Sequence, residues 1–257
     1  MLFASKSFSF LAMEYSFAVL CMAALTFVLG GVVKGVLGVG LPLLAVPMLS
    51  LWMLPAQAMG FLVMPVLLSN AMQAFEGGQV RYAVKRFTPL MLAQLVATLL
   101  ANHWSAQLSV KGMQLVIAFT VISAVVLMVL KPHLEIAPRQ EWWAGPLVGV
   151  IAGAMGGASS LTGPILIMYL MALRLDRNAF VGSISIIYLF GAIPMYVAML
   201  AWGRFGWMDV AWSCAGLVPM YLGLRCGAAI RHRLSEQWFR RMLLAFLVGV
   251  SGLLILR

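Results

Sequence analysis

The sequence predicts an all-α polytopic membrane protein, and three observations carry that prediction. Apolar segments recur from one end of the 257-residue chain to the other, and most reach the roughly 18 residues that mark a helix able to cross the hydrocarbon. Hydrophobic residues make up 63% of the chain and charged residues 9%, against about a quarter charged in soluble domains. The basic residues collect in short connectors, where their bias sets orientation. The net charge of +10 therefore needs no nucleic acid to explain it, and the surroundings are a lipid bilayer.

The apolar segments fall near 15–54, 57–75, 88–102, 112–130, 142–173, 178–200, 209–230 and 241–256. The first and fifth are too long for one span. Each carries a Gly- and Pro-rich cluster near its middle, GVLGVGLPLLAVP over 35–47 and GAMGGASSLTGP over 153–164. Backbone freed at such breaks must be buried in protein or line a polar cavity, because lipid offers it no hydrogen bonds. Three ordinary spans follow each broken segment, so the chain reads as two repeats, 1–135 and 136–257, within one membrane domain.

Charge orders these segments in space. The connector holding Arg81, Lys85 and Arg86 and the one holding Arg225, Arg231, Arg233, Arg240 and Arg241 are the most basic, and both belong in the cytoplasm. That requires the fifth segment to return to the side it entered from. A returning pair plus three crossings is an odd number, so the second repeat is inverted relative to the first. The expected architecture has six full crossings, two broken or re-entrant helix pairs and both termini outside. Connectors 131–141 and 174–178 then lie inside, and 52–57, 102–111 and 202–209 outside. Residues 15–33 and 36–54 could instead each cross, with no change to the later loops. The corresponding stretch of the second repeat, ILIMYLMAL, has only nine residues before Arg174, where a crossing needs about 20. Inverted repeats with discontinuous helices describe a secondary transporter whose site lies where the breaks meet.

The two glycine clusters, with ILIMYL continuing the second and AMGFLVMPVLLSNAMQAFEGGQVR following the first, resemble the sulfite exporter TauE/SafE family. The likeness covers nearly the whole chain as two tandem copies. It implies transport of small sulfur-containing anions, such as sulfite, thiosulfate or organosulfonates, across a bacterial inner membrane. Import against export, and pairing with a second copy of the chain as a homo-oligomer, stay open.

An anion at mid-membrane needs donors: backbone N–H groups at half-helix N-termini, hydroxyls or amides, and a cation. Gly38 and Gly40 in the first break, and Gly156, Gly157 and Gly163 in the second, let backbone approach a ligand closely. Pro42 and Pro164 stand where a new half-helix would begin, a place at which a missing N–H is harmless. Ser159, Ser160 and Thr162 offer hydroxyls, although such residues at a break also cap the next helix. Lys34, the only charge between Glu14 and Glu76, would supply the positive charge if it faces a cavity rather than snorkelling to a surface. Asn70 and Gln73 share a helix face and are the span residues to add to the site. Gln94, Thr98, Ser183, Ser185 and Tyr188 are read as interhelical hydrogen-bonding groups.

Other chemistries lack their residues. Cys21, Cys214 and Cys226 show no CxxC spacing, and His103, His133 and His232 lie in or near connectors, so neither a metal site nor a cofactor is expected. No nucleophile-and-base set suggests an enzyme. No carboxylate lies inside a span to relay protons, so the membrane potential is the expected driving force. An anion channel using the same two breaks as a filter is the alternative. The N-terminal stretch carries no convincing cleavage site and is read as retained.

Overall fold

A computed structural model describes residues 17–37, 40–76, 78–130, 135–230 and 236–256. The described residues form helices and connectors with no strand. In chain order the helices are α1 Phe17–Leu37, α2 Leu41–Leu49, α3 Pro55–Gly60, α4 Val63–Glu76, α5 Val80–Ser105, α6 Val110–Leu130, α7 Glu141–Ser159, α8 Gly163–Ala172, α9 Arg177–Ala201, α10 Trp207–Ala215, α11 Leu217–Ile230 and α12 Glu236–Leu256. Six stretches are long and apolar enough to cross a membrane: Ala18–Leu37, Pro55–Phe75, Val80–Ser105, Val110–Leu130, Asn178–Ala201 and Trp207–Ile230. The molecule is a multi-pass helical membrane protein.

The two long segments are broken unevenly. α1 has 21 residues and α7 has 19, whereas α2 has 9 and α8 has 10. At 1.5 Å per residue the first arms measure about 30 Å and the second about 15 Å, so each pair is a full-length helix followed by a half-length one. α1 runs on through Gly30, Gly31 and Gly35, with α2 packed at Gly30 and α11 packed at Gly31 and Gly35. Pro42 and Pro164 fall in the first turns of α2 and α8, where the backbone has no i−4 carbonyl to bond.

Those glycines explain how the helices assemble. α1 lies on α11 and α5 lies on α7, each pair so close that backbone meets backbone. A methyl group at Gly31 would stand 2.3 Å from the Met220 carbonyl oxygen, and one at Gly35 would stand 2.4 Å from that of Leu224. From the other side, a methyl at Gly223 or Gly227 would stand 2.1 and 2.3 Å from the carbonyl oxygens of Val28 and Val32. The second seam repeats this register. A methyl at Gly149, Gly153 or Gly157 of α7 would stand 2.3, 2.4 and 2.2 Å from the carbonyl oxygens of Leu90, Gln94 and Thr98. Small residues spaced four apart are what membrane helices use to approach closely, since lipid supplies no hydrophobic drive for their association.

Connectors expected on one side of the membrane touch one another. Arg86 makes a two-pronged ion pair with Glu141, its Nε and Nη2 donating at 2.9 and 2.7 Å. Arg174 pairs with Glu135, which joins one further connector placed inside to the same loop. On the opposite side Arg204, between α9 and α10, donates to Ser105 at the end of α5 at 2.9 Å. Lys111 donates to the Ile255 carbonyl at 2.6 Å, which brings the end of α12 to that side too. The connector residues 131–134 and 231–235, with His133, His232, Arg231 and Arg233, lie outside the described residues.

Candidate anion site

One cavity of about 70 Å³ lies where the two breaks meet, bordered by Gly40 and Pro42 on one side and by Gly156, Ser160, Thr162, Gly163 and Pro164 on the other. That is space for a few waters or one small oxoanion. Its walls are otherwise largely apolar, with Val33, Val66, Ile167 and Met195 among them, and Asn70, Thr98 and Tyr188 supply the polar groups.

The local backbone explains why both half-helices begin here. Gly40 precedes α2 at φ 105°, a left-handed conformation that costs glycine nothing. Ser160 takes the corresponding bend after α7 at φ 63°, unusual for a residue with a side chain. Its N–H donates to the Gly156 carbonyl at 2.6 Å and its hydroxyl lies 3.4 Å from that of Tyr196. Neither α2 nor α8 has a side chain capping its first turn. The free N–H groups and positive dipole ends of both half-helices therefore lie at the cavity wall.

Lys34 is 4% exposed and does not border the cavity. Its ammonium donates to Ser69 Oγ at 2.9 Å and to Asn70 Oδ1 at 3.1 Å. Asn70 is the link, since it borders the cavity while its Nδ2 donates to the Val66 carbonyl at 2.9 Å. Among the described residues no carboxylate pairs with Lys34. Its charge is held one residue behind the wall.

The remaining candidates divide cleanly. Gly40, Asn70, Gly156, Ser160, Thr162 and Gly163 come together at the cavity. Gly156 makes room for the Thr162 methyl, which a side chain there would strike at 2.2 Å. Gly157 faces α5 instead of the cavity. Ser159 donates to the Met155 carbonyl of its own helix at 2.7 Å. Gln73 accepts from Ser185 at 3.4 Å, away from the cavity. Gly38 lies outside the described residues.

Two cavity residues depart from the interhelical role expected for them. Thr98 and Tyr188 border the cavity, and their buried hydroxyls have no hydrogen-bond partner among the described residues. The signal available in the sequence was a hydroxyl four residues after Gln94 on one face of an otherwise apolar span. Arg204 also goes unmarked in the sequence because it sits in a connector poor in basic residues. Burial draws its guanidinium below the ordinary value, though arginine stays charged at any pH the protein meets.

Two half-helix N-termini at one cavity inside a multi-pass helical protein are an arrangement that membrane transporters use. The chain is a member of the sulfite exporter TauE/SafE family, whose family model matches residues 23–254. No curated protein and no solved structure matches the chain.

Proposed function

We propose that this protein moves small sulfur-containing anions, such as sulfite, thiosulfate or short organosulfonates, across the bacterial inner membrane. The observation that carries this reading is that the first turns of α2 and α8, neither capped by a side chain, border one cavity. Two positive dipole ends and a nearby lysine suit an anion in a medium that could not otherwise hold one. A cavity of about 70 Å³ suits a compact oxoanion better than a long one.

Transport proceeds by alternating access between two inverted repeats, 1–135 and 136–257. The matching glycine registers of the α1–α11 and α5–α7 seams support that symmetry. So do the pairings of α4 with α9 and of α6 with α12, each of which joins equivalent helices of the two repeats. Export needs no coupling ion. A monovalent anion leaving a negative interior gains about 2.3 kcal/mol per 100 mV, enough for roughly fifty-fold outward accumulation.

The test is flux in proteoliposomes under an imposed potential, with sulfite, thiosulfate, sulfoacetate, taurine, sulfate and chloride offered in turn. Saturable, potential-dependent flux of a sulfur oxoanion is expected. Uptake against the potential together with a proton or sodium ion would overturn the driving force, and transport of none of the panel would overturn the substrate class.

A further inference from the structure

The two glycine seams run in the same register but carry opposite chemistry. Leu224 takes the place between Gly31 and Gly35 that Gln94 takes between Gly149 and Gly153, and Ala228 stands where Thr98 stands. By the same register Lys34 of α1 corresponds to Ala152 of α7. The cation therefore belongs to one seam, and the neutral polar groups belong to the other.

Those neutral groups are left unpaired. Thr98 is 1% exposed and Gln94 is 0% exposed, yet among the described residues the Thr98 hydroxyl and both amide atoms of Gln94 have no hydrogen-bond partner. A buried polar group without a partner is costly enough that proteins rarely keep one unless water or a ligand completes it. Thr98 borders the cavity, and the Gln94 amide lies against Gly191, which borders it too. From α9 the unpartnered Tyr188 hydroxyl reaches the start of α8, where a methyl at Gly163 would stand 3.0 Å away.

Resting on the functional reading above, we propose that Thr98 and Tyr188 are substrate ligands that donate hydrogen bonds to the oxygens of the bound oxoanion beside the first turn of α8. Lys34 acts from the far wall through Asn70. The anion's charge is thus balanced by a lysine it need not touch. Its oxygens are read by neutral hydroxyls, which hold an anion in place without the deep well that a direct ion pair would create, and release at the other face stays fast.

Sulfite is the probe for the test. Purified wild-type protein in detergent should melt at a higher temperature as sulfite is added, and the same preparation in proteoliposomes should show saturable sulfite flux. Thr98→Val and Tyr188→Phe should each raise the half-saturating sulfite concentration about tenfold or more, the usual effect of losing one hydrogen bond to a charged group. Thr98→Ser, which keeps the hydroxyl, should bind as wild type does, and unliganded melting separates lost binding from lost folding. Wild-type affinity in both Thr98→Val and Tyr188→Phe would overturn the ligand assignment while leaving the functional reading standing. A wild type that neither melts higher nor moves sulfite would overturn that reading and this assignment together.

Discussion

The Lys34 ammonium donates to the side-chain oxygen of Asn70 at 3.1 Å, and Asn70, not Lys34, borders the cavity. The lysine thus acts through a neutral intermediary. Ser69 and Asn70 also donate to the carbonyls of Pro65 and Val66 in their own helix, so those donors stay paired without the lysine, and Asn70 Oδ1, in a residue at the cavity wall, is the acceptor left to find another donor. We predict that Lys34→Met keeps the unliganded melting temperature within a few degrees of wild type, because a buried charge replaced by an apolar chain of similar length is often neutral or stabilising. Sulfite flux should fall at least about tenfold, the effect of removing one charge-scale interaction. Full flux in the variant would restrict Lys34 to packing.

The glycine seams give a prediction about assembly. A side chain at Gly153 would strike the Gln94 carbonyl at 2.4 Å and one at Gly223 the Val28 carbonyl at 2.1 Å. Both obstacles are backbone and cannot swing aside. Gly153→Ala and Gly223→Ala should each cost about 1–3 kcal/mol, the range for overpacking a tight contact, and should lower the yield of monodisperse protein on gel filtration. Among the described residues nothing lies within 4 Å of a methyl at Gly249 or Gly252 of α12. Alanine at either should be neutral, or gain up to about 1 kcal/mol from helix propensity. Equal tolerance at all four positions would mean that the seams are looser than their geometry.

Arg204 should matter for stability more than for transport. Its Nη1 donates to Ser105 Oγ at 2.9 Å and to the Asn102 carbonyl at 3.2 Å, at the C-terminal end of α5, where a cation is favoured. Arg204→Ala should cost about 1–2 kcal/mol, a figure at the low end for charge-assisted bonds because the site is partly open to solvent. Arg204→Lys should recover only part of this, since an ammonium cannot serve the same fork. Thermal melting checks the stability, and flux per folded molecule should stay at the wild-type level. A loss of flux at unchanged melting would instead place Arg204 on the transport path.

What the sequence disclosed follows from which interactions are local. Membrane class, span positions and the prolines at the starts of α2 and α8 were legible, because chain hydropathy and fixed proline geometry do not depend on distant partners. The unequal arms were less so: nothing in GGVVKG says that α1 continues through its glycines until α11 is known to lie against Gly31 and Gly35. Gly157 and Gly163 look alike in sequence, yet one faces α5 and the other the Tyr188 hydroxyl. Thr98 and Tyr188 were visible as polar residues in apolar spans, but an absent hydrogen-bond partner is a tertiary fact. No local pattern encodes it.

Sidedness gives the last prediction. Gln107 and Asn178 are both exposed, in the connectors before α6 and at the start of α9. Gln107 lies four residues before Lys111, which stands in the first turn of α6 and reaches the Ile255 carbonyl. Asn178 lies one turn before Gly182, where a methyl would stand 2.8 Å from the Cβ of Gln79, and so faces the basic side with Arg81 and Lys85. The inverted-repeat reading puts Gln107 outside and Asn178 in the cytoplasm. With the free cysteines Cys21, Cys214 and Cys226 first exchanged for alanine, Gln107→Cys should react with a membrane-impermeant maleimide in intact cells. Asn178→Cys should react only after permeabilisation. The opposite pattern would reverse the orientation and set the basic connectors against the positive-inside rule. Labelling of both from one side would be incompatible with an odd number of crossings per repeat, and the inverted arrangement itself would have to be abandoned.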